Sequence, residues 1–384
     1  MSIDDLRRFA VTRQGHSSTL AGAIERLGFI QADPIRSPAR AQDLTLRHRV
    51  DDYRAGDLER NYATLAVEED TFINYGFVKR SLHAAMHPRT GAGLPPTAAN
   101  RRARSVLAFV RERGEVHPRD VEAEFAHGTV TNYWGGSSRA TTALLEGMHY
   151  KGWLRVARRE GGIRIYAVQR SGEVPADAAS RRARLDALVD AVVGTYAPLP
   201  ASSLSVVVRR LRYAVPQWRD ELQAALDRAR LRLSRAVAGG ETWYWPADEI
   251  WDDGEPADEA RLLAPFDPLV WDRQRFERFW GWAYRFEAYT PASKRERGYY
   301  ALPLLWRDRA IGWGNVTMRG GHPHVSFGYV AGRAPRDRAF AIALDAELAG
   351  MRRFLAGDEP APLGPVAASP QARQSTRGAT SRRV

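Results

Sequence analysis

Gln31 and Asp33 stand two residues apart, with Pro34 directly after them. A proline biases the residue before it toward extended backbone. In an extended stretch, residues two apart share a face. An amide and a carboxylate on one face can hold a water and take its proton, and the carboxylate can stand opposite a developing positive charge. The tripeptide Gln-Ala-Asp is common, however, and Asp-Pro is an ordinary turn signal. Taken alone, the three residues leave both readings open.

The remaining side chains exclude several chemistries. The chain has no cysteine, which rules out a disulfide, a thiolate zinc site, an iron–sulfur cluster and a cysteine nucleophile. The lysines are Lys79, Lys151 and Lys294. None flanks Gln31, so a Schiff-base route has no amine there. His322 and His324 have strand spacing but no nearby third ligand, and read as surface rather than as a metal site. No glycine-rich phosphate loop is visible. Trp243, Tyr244 and Trp245 could stack bases, although buried sheet aromatics are the commoner reading. No cofactor is expected, because water can serve as the nucleophile.

The net charge of +12 favours an anionic partner, and nucleic acid is the commonest soluble one. The preference for arginine over lysine adds nothing, since genomic base composition produces it. Lys294, Arg295 and Arg297 fall in the segment 293–298, read as the basic tip of a hairpin that contacts phosphates or a groove, with Tyr299 beside it. A solvated loop is an equal reading. Arg139 lies early in an expected recognition helix, where an exposed surface arginine is the plainer alternative. Hydrophobic residues make up 44% of the chain and aromatics 10%, a globular composition. The N-terminus is polar and no apolar run is long enough to span a bilayer, so a cytoplasmic, monomeric protein without a membrane partner is expected.

Periodicity places these residues on elements. Ser2 can cap a helix carrying Ile3, Leu6 and Phe9, and Ser17 or Ser18 a second that Gly28 stops. The stretch 29–35 reads as extended, 39–47 as helical, 57–85 as mostly helical and 87–99 as a linker. Residues 101–168 give three helices and a hairpin turning at Gly161-Gly162, the winged-helix pattern. Residues 180–246 repeat the theme. The segment 248–259 reads as acidic and exposed, and 262–330 as strand-rich, with strands at 286–289, 299–306, 310–318 and 325–330. Asp337 can cap a closing helix to Leu355. The fold class is therefore α+β, mainly helical with β wings. Its parts are a first winged-helix-like module (1–95), a second (96–175), a third (176–250), a small β-rich domain (251–356) and a disordered tail (357–384).

Six blocks carry a family resemblance: LGFIQADPI at 27–35, Ala39-Arg40-Ala41, LRHR at 46–49, LAPFDPLVWDR at 263–273, YTPASKR at 289–295 and GYYALPLL at 298–305. Together they resemble the bacterial winged-helix DNA glycosylases of the YcaQ/AlkZ type, which remove alkylated purines and unhook interstrand crosslinks. The resemblance covers the chain to about Phe354. It implies that Gln31 and Asp33 are catalytic, in the Gln-x-Asp subtype, and that the substrate is double-stranded DNA carrying alkylated purines or crosslinks. Arg36, Arg40, Arg47 and Arg49, which follow the motif, are assigned with Arg139, Lys294, Arg295, Arg297 and Tyr299 to the DNA face. The sequence departs from the family pattern at Ala32, usually bulkier, at Gln42, where a histidine is expected, and at Trp313, where a basic residue is expected. A winged-helix regulator without catalysis fits the same modules and charge.

Overall fold

The computed structural model describes residues 1–356, except 91–97, 127, 132–136, 171, 173–174, 176, 252–253 and 321. The tail and the centre of the expected linker therefore lie outside the described residues. Ser2 caps α1 (Ile3–Thr12) in a reciprocal box with Asp5. Thr19, rather than Ser17 or Ser18, caps α2 (Leu20–Leu27) by accepting the Gly22 N–H. Gly28, with φ 67°, ends α2 and feeds β1 (Phe29–Gln31). Next come α3 (Ala41–Leu46) and α4 (Asp57–Arg60).

The expected helix across 57–85 is mostly replaced by a hairpin, β2 (Val67–Thr71) and β3 (Tyr75–Lys79), before α5 (Arg80–Met86). Val67-Glu68-Glu69-Asp70 reads as helix because acidic residues are poor strand formers. All four are buried in β2. The Arg155 guanidinium meets Glu68 at 2.9 Å, Arg159 meets Glu69 at 2.7 Å and Arg89 meets Asp70 at 2.9 Å. Such partners, distant in sequence, are what make a buried acidic strand tolerable.

The second unit contains α6 (Ala98–Arg113), β4 (Glu115–Val116), α7 (Pro118–Phe125), β5 (Thr129–Thr131), β6 (Ser137–Arg139), α8 (Ala140–Lys151), β7 (Leu154–Glu160) and β8 (Ile163–Val168). Gly161 and Gly162, at φ 55° and 82°, make the tight turn between the last two strands. The third contains α9 (Ala178–Tyr196), β9 (Leu199–Pro200), α10 (Ala201–Arg210), α11 (Leu222–Arg232), β10 (Ser234–Ala238) and β11 (Glu241–Trp245). Three sheets share one topology, a short early strand paired to the second strand of a later hairpin: β1-β3-β2, β4-β8-β7 and β9-β11-β10.

The remainder comprises β12 (Ala260–Leu262), α12 (Pro268–Trp271), α13 (Arg273–Trp280), β13 (Leu302–Trp306), β14 (Arg309–Arg319), β15 (His322–Tyr329) and α14 (Arg338–Leu355), the last capped by Asp337. β12 to β15 form an antiparallel sheet in sequence order. The expected strand at 286–289 is absent: an irregular, aromatic-rich segment joins α13 to β13. The acidic stretch after β11 is not simply exposed, because Trp251 stacks on Phe9 at 4.5 Å and Glu249 accepts a 2.8 Å bond from Arg13. Among the described residues no helix is long and apolar enough to cross a membrane.

Two apolar cores result, and β1 lies between them. Phe29 belongs to the core built on α1, α9, α10, α11 and α13. Ile30 belongs to the core shared by the first unit, the second and the β12–β15 sheet. Alternation along the strand sends consecutive residues to opposite faces, so the stretch leading to Gln31 is held on both sides. Gly76 pairs with Gln31 across β1–β3, where a Cβ would collide with the Ile30 carbonyl.

Two arginines expected at the DNA face are internal pegs instead. The buried Arg49 forks onto Asp267 at 2.7 and 3.0 Å and reaches the Thr45 carbonyl and Gln14. Arg47 pairs with Glu347 of α14 at 2.7 Å, both side chains buried. We expect Arg49→Met to lower stability by about 3–5 kcal/mol, because it strands Asp267 as an unpaired buried charge. Asp267→Asn in the same chain should recover much of that loss. Urea unfolding of the single and double variants measures both, and additive losses would contradict the pairing.

Candidate active site

Gln31 ends β1 half-buried, and its Oε1 is claimed twice. Asn74 Nδ2, from the β2–β3 turn, donates at 2.6 Å, and Trp271 Nε1, at the end of α12, donates at 2.9 Å. Asn74 is in turn held by Arg210 of α10, whose Nη2 donates to Asn74 Oδ1 and whose Nε donates to the Ile73 carbonyl at 3.0 Å. The Arg210 guanidinium also lies 5.7 Å from the Trp271 ring. With both acceptor positions of its carbonyl occupied, Gln31 can face a ligand only as an N–H donor.

Asp33 follows in a short turn about Pro34. Its Oδ1 accepts the Ile35 N–H at 2.8 Å, a local side-chain-to-backbone turn. No arginine or lysine forms an ion pair with Asp33 among the described residues. Burial pushes its carboxyl up to about 6, and the Ile35 N–H opposes that rise only in part. Nearby lie Tyr300 and Tyr289, whose hydroxyls are raised first by burial and then by the Asp33 charge. The Tyr300 hydroxyl is buried without a hydrogen-bond partner. The result is a proton acceptor poised near neutrality, beside a fixed amide donor.

The other expected site residues divide. Arg40 pairs with Glu59 and Arg36 is half-buried. Arg139 is exposed at the N-cap of α8. The segment 293–298 is not a hairpin tip, because no strand precedes it. It is folded onto the buried Glu287, which accepts backbone N–H groups of Glu296, Arg297 and Gly298 at 2.8–3.2 Å. Burial alone would raise the Glu287 carboxyl, but those donors hold it below its ordinary value. Arg297 is turned inward, 5.5 Å from both the Trp282 and Trp313 rings. Lys294 and Tyr299 are exposed, and Arg295 lies 5.0 Å from the Tyr299 ring.

Asn74 and Arg210 are not read from the sequence as functional, and Trp271, Tyr289 and Tyr300 only as parts of family blocks. Asn74 follows a hydrophobic run and could have been found as a turn residue. Nothing in the sequence marks Arg210.

Among the described residues, Asp70, His83 and His87 form a buried grouping with ligand-like geometry. Asp70 Oδ2 meets His87 Nε2 at 2.5 Å and His83 Nε2 at 3.2 Å, while Arg89 occupies Oδ1. These are the contacts of a closed hydrogen-bonded ion network, in which Arg89 already compensates the carboxylate and a dication would stand against it. His322 and His324 are exposed on β15.

The family described as DNA glycosylase AlkZ-like matches residues 24–367. Among solved structures, the Streptomyces sahachiroi DNA glycosylase AlkZ is similar in fold. It superposes with a TM-score of 0.58 at 15% identity, covering 92% of this chain and 96% of that one.

The geometry at Asp33 yields a stability test. The folded carboxyl titrates near 6 and the ordinary one at 3.8. Between those values the unfolded chain releases a proton that the folded chain keeps, so this residue costs stability as pH rises, fully above 6. Asp33→Asn keeps the acceptor for Ile35 and removes the charge. We expect it to raise the melting temperature by a few degrees at pH 8, with the gain shrinking below pH 6 and gone below about pH 4. A lowered melting temperature at pH 8 would mark Asp33 as a structural residue.

Proposed function

The chain belongs to the AlkZ-like DNA glycosylase family, and from that premise we propose that it excises cationic alkylated purines of the N7-alkylguanine type from duplex DNA, using Asp33 and Gln31. Family members are hydrolases of N-glycosyl bonds in DNA repair, which sets aside the regulator without catalysis. The observation that carries the finer reading is Asp33 itself: a half-buried carboxylate with no ion-pair partner among the described residues, two residues from a clamped amide.

The chemistry follows from those two groups. An alkylpurine cation is a good leaving group, so its glycosidic bond electrons move to the base with little acid assistance. Positive charge then develops on the sugar, and the Asp33 carboxylate stabilises it. A water held by the Gln31 N–H attacks the anomeric carbon and gives its proton to Asp33. The products are the neutral alkylated base and an abasic sugar. A lyase step would need an amine at the site, and Lys79 is instead paired with Glu25.

The three sheets of common topology support reading each helical unit as a winged-helix module, with the first carrying the motif. Lys294, Arg295, Arg139 and Arg36 are the cations assigned to DNA in this reading. Contacts of that kind grip phosphates and read no sequence, as a lesion enzyme requires. Unhooking of interstrand crosslinks fits a site whose carboxylate lies at a half-open edge, since the linked base need not be swallowed whole.

The test is single-turnover release of N7-methylguanine from duplex DNA. Asp33→Asn should lose on the order of 10²-fold or more, and Gln31→Ala less, because the charge remains. The wild-type rate should fall about tenfold per pH unit below 6, as Asp33 takes up its proton, and level above it. Release no faster than the spontaneous rate would refute this substrate, and a flat profile from pH 5 to 8 would remove Asp33 as the base.

A further inference from the structure

The chain contains 11 Trp, 14 Tyr and 13 Phe. Among the described residues only two of these side chains are exposed, Tyr289 at 70% and Tyr299 at 43%. Both belong to the same short segment, and that segment borders the candidate catalytic carboxylate. Ala32 and Ile35, on either side of Asp33, pack with Phe286, the neighbour of Tyr289, against the core that contains Tyr300, and the Asp33 charge adds to burial in raising the Tyr289 hydroxyl. The other described rings are buried or only partly exposed, so two open rings on one segment next to a carboxylate need an explanation.

Their exposure is built in. Tyr289 stands edge-on to Phe286, with ring centres 6.1 Å apart and planes at 74°. Phe286 is itself set against Tyr300 at 5.2 Å and Phe266 at 5.1 Å. The Thr290 N–H closes a turn onto the Glu287 carbonyl at 2.9 Å, and Glu287 holds the returning loop through three backbone donors. Arg295 Nε donates to the Thr290 carbonyl at 2.8 Å while its guanidinium lies over Tyr299. Tyr289 is therefore fixed at its base and open on its face, and the one cation of the segment that meets an exposed ring covers Tyr299.

We propose that Tyr289 is a specificity-determining residue, the stacking surface on which the positively charged purine lies while its sugar reaches Asp33. The proposal rests on the reading given under Proposed function. An aromatic face carries negative quadrupole density and attracts a cation above it, and any base can stack on it. A flat aromatic cation gains from both, and an undamaged base only from the second. Discrimination then comes from the lesion's charge rather than its shape, which suits an open site that takes bulky adducts.

The test uses two readouts on the full chain. In the first, Asp33→Asn protein, slowed in excision on the order of 10²-fold or more, is titrated with N7-methylguanine duplex and with the same undamaged duplex. We expect a preference for the lesion of roughly 3- to 30-fold. Tyr289→Leu in that background should bring it to parity and Tyr289→Phe should retain it. Mono-, di- and trifluorophenylalanine at position 289 should reduce it stepwise, as electron density leaves the ring face. In the second, Tyr289→Leu in the otherwise wild-type chain should slow single-turnover release by a similar factor, with an unchanged melting temperature because the side chain is exposed. No preference in the Asp33→Asn protein, equal preference across the series, or a loss in Tyr289→Phe as large as in Tyr289→Leu each overturns the proposal. The binding series does not depend on turnover, so absence of base release by the wild type would count against the glycosylase reading of this substrate and leave the stacking result to be judged separately.

Discussion

Burial of the acidic strand β2 is the constraint on which the molecule turns. Glu68, Glu69 and Asp70 lie inside, at 4%, 1% and 1% exposure. Unpaired, such charges would cost several kcal/mol each. Arg155 and Arg159 of β7, with Arg164 of β8, reach in from the second unit, and Arg89 also bonds the Ala214 carbonyl of the third. Satisfying these carboxylates therefore docks three units together. It also fixes β2, which registers β3, which registers β1, whose last residue is Gln31.

The same chemistry gives two carboxylates opposite characters. Glu69 is fully buried, and burial alone would raise it, yet Arg159 and Arg164 hold it down to about 2. Asp33 is less buried but pairs with no cation among the described residues, and burial carries it to about 6. One group is a permanent anion that glues units together. The other can exchange a proton near neutrality, as a base must. Leaving Asp33 unpaired sacrifices stability at the point where reactivity is wanted, a common feature of active sites.

Positive charge divides in the same way. The sequence assigns the arginines that follow the motif to the DNA face, but Arg47 and Arg49 reach Glu347 and Asp267 and tie the first unit to the C-terminal part. Arg297 is spent on two indole rings. Lys294 and Arg139 stay exposed, and Arg36 and Arg295 are partly so. The excess of +12 then acts as a diffuse field for a polyanion, while individual internal arginines act as structural bolts.

Local rules were enough to read much of this chain from its residues. The Ser2 and Asp337 caps, the Gly28 stop, the Gly161-Gly162 hairpin and the extended stretch before Pro34 depend on neighbours within a few positions, and each lies where those neighbours place it. Family membership was also legible, because the blocks at 27–35, 263–273 and 289–305 are contiguous. Tertiary structure decided the rest. Residues 67–79 became a hairpin because arginines 80 to 90 positions away compensate its acids, a term no local propensity contains. Asn74, Arg210 and Trp271 converge on Gln31 from three elements across 240 residues of sequence. Whether an arginine is a peg or a DNA contact, and whether a tyrosine is core or open face, depends on what packs over it, and only the folded chain sets that.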